Sequence, residues 1–407
     1  MIESLFPRDW PRYVDGPCGT LVRDFACWIA PRGYTRSCAT GHIRRFRSAF
    51  MRTGVKIGAG RSISSAALAR RFAPWAHDPW YRGTHAAAKL YFAERELLIV
   101  TLKPKPFHSL LAAYESFLVD QRGLSVSTVK RHCQTVHVFL KSTCPRTRSL
   151  YRLSRNDIER FVDDVSRGCS RQSLQHTVAH LRSFLRYCFG HRLTGHRLDI
   201  IDAPRAFRHE LPPRALPWNM VRRLISSIDK SNIEGCRDHA IIYLMAYYGM
   251  RPSEVAALTV DSVDWDNRTL RVDQFKTRSV AILPLDDRTV HVVGRYLRCR
   301  PDGPWKELFL RVRCPAGPIK AATIGDIYTN RVQRSGLPIQ DSSAYSLRHS
   351  FAMRLLERGV GVTLIGDLLG HRVIESTCVY LRLHTNALRD VALPVPYRSR
   401  FAVEAGT

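Results

Sequence analysis

The feature that most constrains this chain is a proline-studded stretch, "DAPRAFRHELPPRALPW", running from Asp202 to Trp218. Each proline fixes φ and removes an amide donor, so no helix can run through it, and its charged residues suit an exposed linker. A shorter break, "TLKPKPF", lies at Thr101 to Phe107. The two breaks leave three segments: about 1–100, about 107–200 and about 215–407. A chain of 407 residues, at roughly 150 residues per domain, is expected to hold two or three domains.

The middle segment reads as all helix. "FHSLLAAYESFLVDQRG" has apolar residues at helical spacing and stops at Gly123, a residue type that tolerates the left-handed turn after a helix. "LSVSTVKRHCQTVHVFLKST" follows, with Ser125 or Ser127 available to cap it. "LSRNDIERFVDDVSRG" and "SRQSLQHTVAHLRSFLRYCFG" repeat the pattern, giving four or more short helices with basic outer faces. The first segment reads as a diverged copy of the second. At a constant offset of 90, Arg32 falls on Arg122, Gly33 on Gly123, Ser37 on Ser127 and His42 on His132, and the apolar Phe50 falls on Leu140. The competing reading is that any two capped amphipathic helices after an Arg-Gly turn look alike.

The third segment is mixed. "RDHAIIYLMAYYGM" reads as a buried helix stopped by Gly249, and Pro252 suits the first turn of the next helix. "TLRVDQF" and "SVAILPL" are strand-like and flank "KTR", which makes a β-hairpin with a basic tip. Helical patterns resume from Ala321. The expected fold class is mainly α with a small antiparallel β-sheet.

Charge narrows the partner. Lys+Arg number 63 against 35 Asp+Glu, a formal net charge of +28. Such self-repulsion is best relieved by a polyanion, and nucleic acid is the first candidate. The 11 cysteines include no C-x-x-C pair and no zinc-type Cys/His spacing, so reduced thiols in a cytosolic protein are expected, with no metal site. The N-terminus "MIESLFPRDWPRY" lacks a basic region followed by an apolar run, so no signal peptide is read there. The longest apolar run, from Ala240, is too short to span a bilayer.

Four stretches of the third segment carry chemistry: "YGMRPSEVAALTVDSVDW", "FKTRSVAILPL", "YSLRHSFAMRLLERG" and "DLLGHRVIESTCVYLR". In that order they resemble the boxes of the tyrosine recombinase (phage integrase) family. The first resembles its T-G-x-R-x-S-E-L signature, the second its lysine-bearing β-hairpin, and the third its H-x-x-R-H-S-F-A box. The fourth resembles its L-G-H-x(8)-Y box, with nine residues from His371 to Tyr380. The resemblance covers most of residues 215–385. It implies a mixed α/β catalytic domain at 215–407, a helical core-binding domain at 107–200, and an extra N-terminal helical domain at 1–100. The first two would form a C-shaped clamp on duplex DNA.

The chemistry explains the residue types. A hydroxyl attacking a phosphodiester passes through a state with added negative charge on the non-bridging oxygens, and guanidinium forks hold such oxygens through paired, charge-assisted hydrogen bonds. The resemblance assigns that work to Arg251 and Arg348, attack on phosphorus to Tyr380, and a phosphate hydrogen bond to His371. The product would be a 3′-phosphotyrosine with a free 5′-hydroxyl. The covalent bond conserves the energy of the broken strand, so no cofactor is needed. Lys276 stands alone between Lys230 and Lys306, at the hairpin tip, where an ammonium can protonate the leaving oxygen. Glu254 either holds the site or is an ordinary acidic residue of a helix first turn. His349 either supports the site from behind or sits in the helix interior. Arg278, Lys130 and Arg131 are candidate DNA contacts.

One position departs from the family. Tyr345 stands where a histidine is usual, three residues before Arg348. A phenol, with reference pKa of about 10, is a poor base near neutrality but can donate a hydrogen bond to a phosphate oxygen. The expected function is a site-specific recombinase or integrase of a bacterial mobile element, cytoplasmic and nucleoid-associated, working as a homo- or hetero-tetramer on two DNA sites. Two rivals remain open: relaxation of DNA by a type IB topoisomerase-like enzyme, and a non-catalytic DNA-binding homologue. The DNA target and the direction of recombination have no signature in the residues.

Overall fold

The computed structural model describes residues 5–6, 10–51, 60–100, 107–144, 150–202, 214–274, 277, 279–371 and 373–381. Lys276, Arg278 and the segment after 381 lie outside these. The chain divides into two compact units: Met1–Ile63 with Ala67–Leu98 and Leu211–Thr407, and Ser64–Ala66 with Ile99–Glu210. The fold is mainly α with one three-stranded antiparallel sheet in the segment that follows the proline-rich break.

The N-terminal helices are α1 (Trp10–Val14), α2 (Gly19–Ile29), α3 (Arg36–Met51), α4 (Ser65–Phe72) and α5 (Pro79–Glu94). Their apolar faces meet in an aromatic core in which Phe25 stacks on Phe46 at 4.0 Å and Phe46 packs against Phe50, tilted, at 4.5 Å. Such pairs add about 0.5–1.5 kcal/mol each beyond burial.

The other unit carries α6 (His108–Ser116), α7 (Val126–Thr143), α8 (Arg155–Ser166) and α9 (Arg171–Gly190). The segment after α6 widens into a π-helical turn at Phe117–Gln121 before Gly123 turns left-handed. Ser125 is the residue before α7, but its hydroxyl contacts those of Ser127 and Thr128 and caps no helix amide. Ser154 and Asp157 close a reciprocal capping box at α8. Tyr114, Val136, Phe139, Leu181 and Phe184 fill the core.

The two helical segments match locally. Gly33 and Gly123 have φ of 73° and 59°. Thr35 and Ser37 hydroxyls pair at 3.3 Å, as Ser125 and Ser127 do at 3.2 Å. His42 Nδ1 meets Thr84 Oγ1 at 2.9 Å, while His132 Nδ1 meets the Tyr114 hydroxyl at 3.2 Å. Phe50 and Leu140 are both buried.

After the proline-rich break come α10 (Trp218–Ser226), α11 (Ile233–Tyr248) and α12 (Pro252–Ala257). The run from Ala240 to Ala246 is buried on all sides, which explains an apolar pattern without helical period. Next are β1 (Val263–Asp264), β2 (Thr269–Gln274) and β3 (Ser279–Pro284), paired in sequence order. Gln274 faces Ser279 at the end of the β2–β3 ladder. The helices α13 (Asp287–Cys299), α14 (Ala321–Ser335), α15 (Ala344–Glu357), α16 (Val362–Leu369) and α17 (Glu375–Cys378) complete the described chain. All eleven cysteines are free thiols. Among the described residues no helix is long and apolar enough to cross a membrane, and no cluster of metal-ligating side chains is found.

Candidate active site

The site grows from two left-handed glycines. Gly249, φ 62°, ends α11, and a Cβ there would lie 2.5 Å from Phe351 and 2.9 Å from Leu369 side-chain atoms. This close turn frees the Gly249 carbonyl and delivers the chain to Arg251, the residue preceding α12. Gly370, φ 60°, ends α16, and a Cβ there would collide with the Gln274 side chain at 1.8 Å. Gln274 is buried, and its Oε1 accepts hydrogen bonds from Thr277 and Ser279 hydroxyls. The turn-side end of the β2–β3 ladder is therefore fixed against the turn that carries His371.

Three side chains interlock on these turns. Arg348, 5% exposed on α15, donates from Nη1 to the Gly249 carbonyl at 2.7 Å and from Nη2 to the Leu369 carbonyl. Arg251 donates from Nη2 to the same Leu369 carbonyl at 3.4 Å and from Nη1 to Glu254. Glu254, 3% exposed, also accepts the Arg251 backbone N–H at 2.7 Å and lies 3.9 Å from Arg348 Nη1. Two guanidinium groups thus converge on one carbonyl and one carboxylate. Burial, and then the Arg251 charge, bring the Arg348 pKa down to about 10, with Glu254 pulling the other way. Arg348 stays charged at neutral pH in a place where a further anion is welcome.

Tyr380 follows α17 and is 3% exposed, packed with Ala352, Ile365 and Leu369. Its hydroxyl meets His349 Nδ1 at 3.0 Å. Burial raises the phenol pKa, while Arg348 and Arg251 oppose that rise. Burial, and then the Arg348 charge, lower the His349 pKa below 6.5. A neutral imidazole therefore faces a protonated phenol near neutrality. His371 follows Gly370, with its Nδ1 2.8 Å from the buried Thr377 Oγ1 and its N–H donated to Gly366. Tyr345 lies in the first turn of α15, 52% exposed, within electrostatic reach of Arg348.

Arg251, Glu254, Arg348, His349 and Tyr380 are therefore brought together, with His371 on the adjoining turn and Tyr345 on the open side. Lys276 and Arg278 lie outside the described residues. Lys130 and Arg131 are exposed on α7, in the other unit. Sequence reasoning missed the carbonyls of Gly249 and Leu369, the wedge formed by Gln274, and Thr377. The left-handed glycines beside those carbonyls were the available signal.

The Phage integrase family profile matches residues 214–387, and the family's N-terminal SAM-like domain profile matches residues 111–189. The chain is 30% identical to the integrase/recombinase y4rA of Sinorhizobium fredii over 396 residues, covering 94% of this chain and 95% of that protein. It is 28% identical to the tyrosine recombinase XerD of Listeria innocua over 293 residues, covering 70% of this chain and 97% of that protein. In fold it resembles the XerH site-specific recombinase bound to palindromic difH substrate (TM-score 0.55, 17% identity, 69% of this chain and 83% of that one). It also resembles a lambda integrase dimer bound to a COC′ core site (TM-score 0.53, 16% identity, 67% and 94%). With a full-length relative at this identity and both profiles in chain order, the chain belongs to the phage integrase family: it is a tyrosine-type site-specific recombinase.

Proposed function

We propose that this recombinase cuts and rejoins duplex DNA with Tyr380 as its nucleophile. The observation that carries the reading is the convergence of Arg251 and Arg348 on the Leu369 carbonyl, with the Tyr380 phenol inside the field of both charges. In this scheme the two guanidinium groups hold the non-bridging oxygens of the scissile phosphate. Glu254 keeps them apart and aimed. His371, braced by Thr377, and the exposed Tyr345 donate further hydrogen bonds to the phosphate. The Tyr380 oxygen forms a bond to phosphorus as the bond to the 5′-oxygen breaks, and Lys276 protonates that oxygen. Rejoining reverses these steps, so no cofactor enters.

The helices of 107–200 supply sequence-independent grip through Lys130 and Arg131, with Arg278 adding a contact near the site. The N-terminal helices of 1–100 act as a second helical DNA-contacting module, in line with their local match to α6 and α7. The domain limits 1–100, 107–200 and 215–407 belong to the same proposal, as do assembly of four subunits on two sites, a mobile-element setting, and a place in the cytoplasm at the nucleoid.

The test is a nicked duplex from which the short cut strand diffuses away, trapping any covalent intermediate. Wild-type protein is expected to form an adduct and Tyr380→Phe none, at unchanged DNA affinity. An adduct with Tyr380→Phe rules out this nucleophile. Relaxation of supercoiled plasmid without recombination would favour the topoisomerase-like reading instead.

A further inference from the structure

The phenol of Tyr380 must lose its proton to attack phosphorus, and one described side chain is bonded to it. His349 Nδ1 lies 3.0 Å from the Tyr380 oxygen, and the two rings are 5.7 Å apart at their centroids. Tyr345, the other candidate in that box, is half exposed and has no hydrogen bond to Tyr380 among the described residues.

We propose that His349 is the general base that takes the Tyr380 proton during strand cleavage and returns it during rejoining. This rests on the reading of Tyr380 as nucleophile. With the neutral ring protonated on Nε2, the phenol donates to Nδ1. As the Tyr380 oxygen bonds to phosphorus, its proton passes to Nδ1, and the bond from phosphorus to the 5′-oxygen breaks. The 5′-oxygen takes its proton from Lys276, the acid named above. In rejoining, the 5′-hydroxyl attacks phosphorus, the phosphotyrosine bond breaks, and the imidazolium restores the phenol proton.

The surroundings favour this division of labour. Arg348, on the same helix, is the charged group that acts on His349, and it opposes the imidazolium together with burial. Arg348 and Arg251 act on Tyr380 and favour its anion. The helices packed against α15 are α10, α11, α14 and α16, and no charged group on them contributes to the His349 shift. The base is therefore neutral at neutral pH and is lost only in acid, as pH falls through a value below 6.5.

The probe is a nicked duplex selected from a randomised-sequence library by wild-type adduct formation. Adduct rates are measured against pH for wild type, His349→Gln and His349→Ala, with filter binding as the control for folding and affinity. The wild-type rate is expected to fall on the acid side with a midpoint below 6.5. His349→Gln, which keeps a hydrogen-bonding group but cannot titrate, should be about 100-fold slower or more, without that acid limb. Added imidazole should accelerate His349→Ala. If His349→Gln cleaves within about 3-fold of wild type and keeps the acid limb, the base is elsewhere while the nucleophile stands, since general-base loss is typically far larger. If Tyr380→Phe forms adduct, or wild type forms none on any library member, the nucleophile reading fails and the proposal with it.

Discussion

The cations of the site and the cations of the second unit are held in opposite ways. Arg348 is buried, tied to two main-chain carbonyls, and close enough to Arg251 for that neighbouring charge to disfavour its own. Lys130 and Arg131 stand in solvent on α7. Folding has already desolvated and aimed the first pair, so an anion arriving there recovers energy invested in the native state. The second pair is exposed, and under the proposed function it would bind phosphate mainly by releasing counterions. Changes at the first pair should therefore act on rate, and changes at the second on affinity and its salt dependence.

Substitutions can break or sharpen that contrast. The largest effect is expected from Arg348→Ala, which removes two charge-assisted donors. Single-turnover cleavage should fall about 100- to 1000-fold, with DNA affinity by filter binding nearly unchanged. A loss of affinity with normal cleavage of bound DNA would erase the distinction. Glu254→Gln should come next. It keeps the shape but removes the anion between two guanidinium groups, so urea unfolding should show a loss of about 1–3 kcal/mol from a weakened charged hydrogen-bond set. Unchanged stability would mean that Glu254 is an ordinary first-turn carboxylate. Tyr345→Phe should slow cleavage by about 10-fold, the worth of one hydrogen bond to a charged group, and spare binding. An unchanged rate would reduce Tyr345 to a packing residue. The smallest effect belongs to Lys130→Ala with Arg131→Ala. Affinity should weaken and the slope of log K against log salt should shrink by about 1 per residue, while DNA already bound is cut at the normal rate.

The same contrast explains what the sequence could disclose. The breaks read at 101–107 and 202–218 fall mostly outside the described residues, so the domain limits drawn from their prolines stay part of the proposal. Arg251, Arg348, His371 and Tyr380 stood out as candidates because each lies in a short contiguous stretch that resembles a family box. The hairpin was legible from β-branched residues around "KTR". The Leu369 and Gly249 carbonyls carry no side-chain signature, and they reach Arg348 across 21 and 99 residues of chain. The bond between His349 and Tyr380 joins positions 31 apart, and it turns a residue with two open readings into a partner of Tyr380. Tyr345 was legible as a departure, and its exposure fits a group that waits for substrate.

The most direct test is to digest the trapped protein–DNA adduct and identify the linked peptide by mass spectrometry. The expected result is a peptide containing Tyr380 that carries a 3′-phosphoryl nucleotide, with a free 5′-hydroxyl on the released strand. Linkage at Tyr345 or any other residue, or through a 5′-phosphate, would contradict the mechanism.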